Sequence, residues 1–541
     1  MKNKFEIMLE DLADRKGETV FLYDARNRVS MTYRRFLEQI CQVRDFLGEA
    51  GVKEGDRVLL MMDNSLEFAV NFFAVTFCQA AAVPVNTNLK WKELLYIMED
   101  TRASGILIQR DYEDRLKDAV AEVKKECPKE TAAEEKKSDG ISCMRLPLQE
   151  NVWYQSLFSD GARDLPENTA MLLYTSGTTG YPKGVILSFD NLMSKTADII
   201  EAHQLTDRDR VLCVLPWFHI NGLVITLLTP LVSEQTIVIG GRFSVSRFWG
   251  YVEEYGITWF SGVPTMYSHM LARGIPEYGK HSSLRFARSA SSALPGAVMR
   301  EFEETCHVPV IESYGITEGC AQITSNPLPP AVHKVNSVGL AYGNRIKVVN
   351  SRGEVQPAGT AGEVWIRGSN ITCGYYHKPE ETERSFTDGW FHSGDVGYLD
   401  EEGYLFLNGR IKELINRAGE KFSPLEIDEV LYQMPEVELA AAVGVPDAVY
   451  GEEVACFIRL KKGRVLSEQQ VKNWCEARIA SYKVPRKVFF VDEIPQGGNG
   501  KIQRLKLLDV YCIRPVQMKA PSERAPHGKY AGGVLENETV E

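Results

Sequence analysis

The chain has 541 residues, 44% hydrophobic and 25% charged, which is too long for one core and too apolar for extended disorder, so two or three domains are expected. A formal net charge of −11 and a pI near 5.6 argue against a protein that coats nucleic acid, while leaving room for a basic pocket around an anionic cofactor. The 11 cysteines are scattered without a C-x-x-C pair, no apolar run is long enough for a membrane, and the end, LENETVE, is no peroxisomal address; a cytoplasmic protein without disulfides, zinc or membrane insertion is expected.

From Phe21 onward, short apolar runs alternate with helical spacing. Phe36, Ile40, Val43, Phe46 and Leu47 recur at three- and four-residue intervals, Gly51 and Gly55 end that helix, and a strand follows over Arg57 to Met61. A second helix and then Val83, Pro84 and Val85 continue a strand–helix–strand pattern, which points to a parallel or mixed sheet covered by helices. Leu60, Met61 and Met62 read as core. Lys117 to Gly140, mostly charge and alanine, reads as a helix running into a solvated insertion.

Tyr174 to Val185, YTSGTTGYPKGV, follows the apolar run Ala170 to Leu173 and has the composition a polyphosphate requires. Gly177, Gly180 and Gly184 permit positive φ and close approach, Thr175, Ser176, Thr178 and Thr179 offer hydroxyl donors, and Lys183 supplies a mobile cation for phosphate oxygens. Lys183 is followed by Gly184 and an apolar strand, not by Ser or Thr and a helix, so a strand–loop–strand hairpin is expected in place of the common phosphate-loop signature.

A helix from Asp190 then leads to the strand Val211 to Leu215 and to PWFHINGL, where a lone His219 ordinarily reads as a hydrogen-bonded structural residue. Strand–helix alternation resumes up to LRFARSASSALP (Leu284 to Pro295), a strand entering a small-residue turn. Ser289, Ser291 and Ser292 permit tight packing there; Arg285 and Arg288 carry charge beside a candidate pocket, with an exposed strand arginine the equal alternative for each. VIESYGITEG brings Tyr314, Thr317 and Glu318 to a strand's carboxyl end, where open α/β sheets gather ligands. Asn336 to Leu407 reads as a small antiparallel barrel or sheet. From Ile427 to about Tyr511 helices and strands alternate again, and Lys501 lies in GGNGK, whose flexibility lets one amine reach a distant site.

With these segments in this order, the chain resembles the adenylate-forming superfamily of acyl-CoA synthetases, luciferases and peptide-synthetase adenylation domains. The similarity runs from about Phe21 to Arg504, through the glycine loop, FHINGL (Phe218 to Leu223), SYGITEG (Ser313 to Gly319), WFHSGDVGYLD (Trp390 to Asp400), GRIKELINRAGEKFSPLEIDEV (Gly409 to Val430) and GGNGKIQR (Gly497 to Arg504). Within the superfamily, ITSNPLPPAVHK, LRFARSASSALP, GVPDAVYGEE and KVPRKVFF are most similar to the oxalate-CoA ligase branch. The resemblance implies an α/β fold with a large N-terminal domain, 1–409, of stacked helix-covered sheets plus a small β-barrel-like part. A hinge at 410–413, a small mobile α+β cap at 414–514 and a disordered tail at 515–541 follow.

It also implies roles. Thr175, Ser176, Gly177, Thr178, Thr179, Gly180 and Lys183 would hold the phosphates of ATP, Tyr314 would stack on adenine, and Thr317 would bond the α-phosphate. Glu318 with Thr178 would hold Mg²⁺, Asp395 reinforced by Arg410 would bind the ribose, and Gly419 would border the pantetheine arm of coenzyme A. Lys501 would neutralise charge between carboxylate and α-phosphate, and Lys412, beside Glu413, would be the hinge. His219 and the turn bearing Ser289 and Ser291 would line the place of the acid, with Arg288 beside it.

The implied activity is that of an AMP-forming acid-CoA ligase for a small polar or anionic carboxylic acid, oxalate-like, with ATP, Mg²⁺ and coenzyme A. Two departures leave the acid open: Ile220 and Asn221 stand where small-dicarboxylate activators often carry a second histidine, and SASSALP replaces a cysteine-containing turn. A medium- or long-chain fatty acyl-CoA synthetase and an enzyme loading a phosphopantetheinyl carrier protein remain alternatives. A silent nucleotide-binding scaffold is disfavoured, because Lys183, Glu318, Asp395 and Lys501 are all present. No oligomeric state is legible.

Overall fold

The computed structural model describes residues 2–126, 144–146, 149, 151–157, 164–175, 182–497 and 501–510. The expected charged insertion beyond Glu126 and the expected tail at 515–541 lie outside them. Among the described residues the strands form four sheets. The largest has the order Leu340–Ala341, Ala321–Ser325, Val310–Ile316, Phe286–Ser289, Trp259–Gly262, Arg210–Cys213, Thr236–Ile239, Val20–Asp24 and Val29–Thr32. Its middle is parallel and its flanks antiparallel. The second has the order Met144–Arg145, Val152–Ser156, Gly105–Gln109, Arg57–Met61, Ala81–Pro84, Thr169–Thr175 and Lys183–Ser188.

Pleating sorts the side chains of each strand into two cores. Val211 and Cys213 join Val58, Leu60, Met171 and Leu173 in the core between the two large sheets. Leu212 enters the core on the far face of the first sheet, and Leu59, Met61 and Leu172 that of the second. The helix Leu66–Phe77 is buried at every residue but Glu67 and packs in the layer between the sheets, which explains its mostly apolar sequence. Ser65 caps it, its hydroxyl accepting from Phe68 N at 3.1 Å. The helix Tyr33–Glu49 buries only Tyr33, Phe36, Ile40, Val43 and Leu47, the stripe that three- and four-residue spacing dictates.

The third sheet is antiparallel: Asn344–Val349, Gly362–Gly368, Trp390–Leu399 and Phe386–Thr387, with Leu405–Arg410 paired to Trp390–Leu399. It packs Val364, Ile366, Phe391 and Leu405 against Tyr314, Ile316 and Ile323 of the first sheet, so a β-rich layer covers the carboxyl end of Val310–Ile316. The chain then passes through a turn at 411–413 into the fourth sheet, Glu420–Phe422, Ile415–Arg417, Gly451–Leu460 and Val437–Asp447, with Lys487–Phe490 paired to Gly451–Leu460. Helices Pro424–Tyr432 and Glu468–Glu476 cover one face of this smaller C-terminal domain, and Leu507 of Arg504–Val510 the other. Among the described residues no helix is long and apolar enough to cross a membrane.

Candidate active site

The glycine loop joins two antiparallel strands, with Thr175 opposite Lys183 and Tyr174 opposite Gly184; the expected hairpin is present. Ser176, Gly177, Thr178, Thr179 and Gly180 lie outside the described residues. Thr175 ends the first strand, partly buried at the mouth of the hairpin. Two expectations change. Gly184 does not have a positive φ; a Cβ there would lie 3.1 Å from the ring of Tyr174, whose hydroxyl donates to Asp100 Oδ2 at 2.6 Å. Its missing side chain thus admits a neighbouring ring. Lys183, expected as a mobile cation, is paired with Glu381 and lies 5.3 Å from the centre of the Tyr375 ring, because Pro379–Arg384 brings a carboxylate against the hairpin.

Beyond the strand Val310–Ile316, Thr317, Glu318 and Gly319 form a single 3₁₀ turn. The Tyr375 hydroxyl donates to Glu318 Oε1 at 2.7 Å and Thr372 N to the Glu318 carbonyl at 2.8 Å, so this acid is steadied through one of its two carboxylate oxygens. The Tyr314 hydroxyl donates to Asp395 Oδ2 at 2.5 Å, while Arg410 Nε donates to Asp395 Oδ1 at 2.9 Å. Asp395 and Arg410 face each other across paired strands. Burial, and then the charge of Asp395, hold the Tyr314 pKa well above its ordinary value, which keeps the hydroxyl a donor.

Lys501 is brought to this cluster from the C-terminal domain. Its pKa is held down by burial and by the positive charge of Arg410, while Glu413 and Asp395 pull it up. The loop is closed by Gly497 N donating to the Lys501 carbonyl at 2.7 Å and by a bridge between Gln496 and Ile502. Three residues on, Arg504 donates to the Ala442 carbonyl at 3.0 Å, pairs with Asp428 and approaches Glu413 at 3.9 Å. Lys412 is exposed in the turn where Glu413 N and Leu414 N both donate to the Arg410 carbonyl, at 2.9 and 3.1 Å. Gly419 has φ +91° after Ala418 at +54°, and a Cβ on it would meet nothing within 4 Å. The tight turn, not a crowded neighbour, accounts for this glycine.

Arg288 lies on the next strand and is fully buried. It donates to Asn221 Oδ1 and Ser261 Oγ at 2.9 Å each, and to Gln322 Oε1 at 3.3 and 3.2 Å. Among the described residues no carboxylate pairs with it, and burial pulls its pKa down. Asn221 Nδ2 also donates to Ser291 Oγ at 3.1 Å. Gln322 Nε2, Tyr267 Oη and His219 Nε2 are buried without a hydrogen-bond partner among the described residues. Burial pushes the His219 pKa down to about 4, so this imidazole is neutral at physiological pH. A buried cation held only by neutral groups, beside polar atoms left unpaired, suits a ligand that brings an anion and acceptors.

Two expected members are not brought to Arg288. Ser289 is the next residue along its strand and faces the other side of the sheet, in register with Gly262 and Glu312. Arg285 pairs with Asp209 through Nε and Nη2, at 2.9 and 3.0 Å, and so serves as counter-ion to a buried acid. The sequence does not mark Asn221, Gln322, Tyr375 and Arg504 for these contacts; its one signal is Ile220–Asn221, the departure from the pattern that the resemblance implies.

The molecule is thus an α/β protein that gathers acids, hydroxyls and a loop lysine at the carboxyl end of a parallel sheet, where Tyr314, Glu318, Asp395, Arg410 and Lys501 offer a π-face, hard oxygen ligands and cations suited to a nucleotide and a divalent ion. The chain belongs to the AMP-binding enzyme family: the profile of the AMP-binding enzyme matches residues 9–376 and that of the AMP-binding enzyme C-terminal domain residues 426–501. It is 37% identical over 501 residues to an oxalate–CoA ligase of Arabidopsis thaliana, covering 90% of this chain and 95% of that one. It is also 37% identical over 465 residues to a sulfoacetate–CoA ligase of Cupriavidus necator, covering 85% and 88%. The O-succinylbenzoate coenzyme A synthetase of Bacillus subtilis, solved with ATP and a magnesium ion, superposes with a TM-score of 0.76 at 28% identity, covering 92% of this chain and 98% of that one.

Proposed function

We propose that the chain is an ATP-dependent, AMP-forming acid–CoA ligase of the cytoplasm that activates a small carboxylic acid carrying a second polar or anionic group. One observation carries the reading: a buried arginine without a carboxylate partner among the described residues lies one strand from Tyr314 and the turn bearing Glu318, the region that Lys501 approaches through Asp395 and Arg410. The related oxalate and sulfoacetate ligases support an acid of this chemical type.

In the first half-reaction a carboxylate oxygen attacks the α-phosphorus of ATP, and the bond from that phosphorus to pyrophosphate breaks. The need is electrostatic. Lys183 exchanges Glu381 for phosphate oxygens beside the hydroxyls of the hairpin loop, Lys501 offsets charge between carboxylate and α-phosphate, and Asp395 accepts from the ribose hydroxyls. Glu318 and Thr178 would hold Mg²⁺, which when bound adds positive charge at the phosphates. Domain 414–514 then turns about Lys412 at hinge 410–413, withdrawing Lys501 from domain 1–409. The thiol sulfur of CoA, passing Gly419, attacks the acyl carbonyl, AMP leaves, and the thiol proton goes to solvent.

A pyrophosphate-release screen tests this reading, with oxalate, malonate, sulfoacetate, butyrate and octanoate as acids and CoA or a phosphopantetheinyl carrier protein as acceptor. Turnover of a short dianion with CoA is expected. A preference for octanoate removes the small-acid assignment, a preference for the carrier removes CoA, and no release with any acid removes the reaction.

A further inference from the structure

Past Ala290, whose N donates to the Gly262 carbonyl at 3.2 Å as an extension of the sheet, the serine turn after Arg288 is gripped at three points. Asn221 Nδ2 donates to Ser291 Oγ at 3.1 Å, Leu294 N donates to Glu312 Oε1 at 2.8 Å, and Gly296 N donates to both carboxylate oxygens of Glu429, at 3.2 and 3.1 Å. The first two grips lie within the large domain. The third comes from Pro424–Tyr432, a helix of the C-terminal domain. Gly296 opens the 11-residue helix Gly296–Cys306, whose first amides lack partners within the helix and favour an anion; Pro295 just before it has no amide to contribute. Lys501 stands near Asp395 and Arg410 in this same domain arrangement.

We propose that Glu429 is a positioning residue: it fixes the serine turn, and with it Ser291 and the acid pocket, only while the C-terminal domain is docked with Lys501 in the site. The proposal rests on the acid–CoA ligase reading above. When the domain turns for thioester formation, Glu429 leaves Gly296 and the turn keeps two grips of its three. The acid pocket is then firm during activation and looser during acyl transfer. The glycine is part of the device, because a Cβ at 296 would lie 2.8 Å from Asn336 Oδ1 and Val335 Cγ1 and 3.1 Å from Glu429 Oε1, which would push the carboxylate off the amide.

The test uses the full chain as Glu429→Ala, Glu429→Gln, Gly296→Ala and the Glu429→Ala/Gly296→Ala pair, with thermal unfolding to verify folding. Acid-dependent exchange of pyrophosphate into ATP reads activation; consumption of CoA with synthetic acyl-adenylate reads transfer. Loss of one hydrogen bond to a charged group should slow exchange about tenfold, mainly through a raised KM for the acid, with transfer unchanged. Glu429→Gln, which keeps an acceptor, should recover part of the loss. Gly296→Ala should reproduce it, and the double variant should be no worse than the single ones. Equal losses in both half-reactions, unchanged exchange, or additive losses in the double variant would overturn the proposal. Failure of the ligase reading appears elsewhere, as a wild-type protein that neither exchanges nor transfers.

Discussion

Replacing Arg288 tests the proposed acid pocket at its charge. The guanidinium makes four hydrogen bonds, two of them at 2.9 Å, to Asn221, Ser261 and Gln322. Arg288→Met leaves those groups facing an apolar chain, at about 1–3 kcal/mol for each buried group without a partner, so part of its effect is on stability. Arg288→Lys keeps the charge but loses the planar fork, and so separates charge from packing. A hydrogen bond from a cation to an anionic substrate group contributes roughly 1.5–3 kcal/mol, equivalent to about 10–10² in kcat/KM. Butyrate has no group to lose. In pyrophosphate-release assays normalised to folded protein, Arg288→Met is expected to lower kcat/KM for oxalate about 10²-fold relative to butyrate, with Arg288→Lys between it and wild type. An unchanged oxalate-to-butyrate ratio in folded Arg288→Met would refute the role of this charge.

Lys501→Ala should cost roughly 10²–10³ in activation rate, the scale of losing one electrostatic stabiliser, while thioester formation from supplied acyl-adenylate survives; equal loss in both steps contradicts its role. Because burial and Arg410 hold the Lys501 pKa down, wild-type activation should decline at alkaline pH as the amine loses its proton, and the residual rate of Lys501→Ala should not share that limb. Lys412→Pro should still form adenylate but fail to transfer it, since proline freezes φ where rotation is proposed; normal turnover removes the hinge. Burial pushes the Glu312 pKa up to about 8 from 4.5, so the folded state keeps a proton that the unfolded chain releases. Its contribution to stability is full below pH 4.5 and falls by about 1.4 kcal/mol per pH unit up to pH 8. Denaturant titrations of wild type and Glu312→Gln at pH 5.5 and 7.5 should diverge accordingly, and parallel behaviour would refute the shift.

Local patterns were legible where local physics decides. The spacing of Phe36, Ile40, Val43 and Leu47 predicts the buried face of its helix, and the loop composition with its apolar flanks predicts the hairpin. Contacts between distant segments were not. Arg285 and Arg288 read alike, yet Asp209 claims one while neutral Asn221, Ser261 and Gln322 surround the other. Ser289 looked equivalent to Ser291 until the pleat separated them. Lys183 gave no hint of Glu381, and nothing near Glu429 announced an amide 133 positions away. Of the two reasons offered for Gly184, positive φ and close approach, only the second holds, because it makes room for a ring, whereas Gly419 supplies backbone conformation.

The two cations of the proposed site are held differently, and this argues for an order of events. Arg288 belongs to a strand and its charge is always present; Lys501 arrives on a loop anchored through Arg504 to Asp428, so its charge depends on domain orientation. A dianionic acid would therefore be neutralised first at its distal group, before the carboxylate to be activated meets Lys501. A fatty acid would leave Arg288 as uncompensated as it is in the free protein and so forgo the stabilisation that a distal anion brings, a relative cost present on binding and undiminished at the transition state. That cost acts equally on the bound and reacting states, which makes it uniform binding energy in the sense that governs KM more than kcat. Oxalate and butyrate should accordingly differ chiefly in KM, and a difference confined to kcat would mean that Arg288 acts on the reacting carboxylate and not on the distal group.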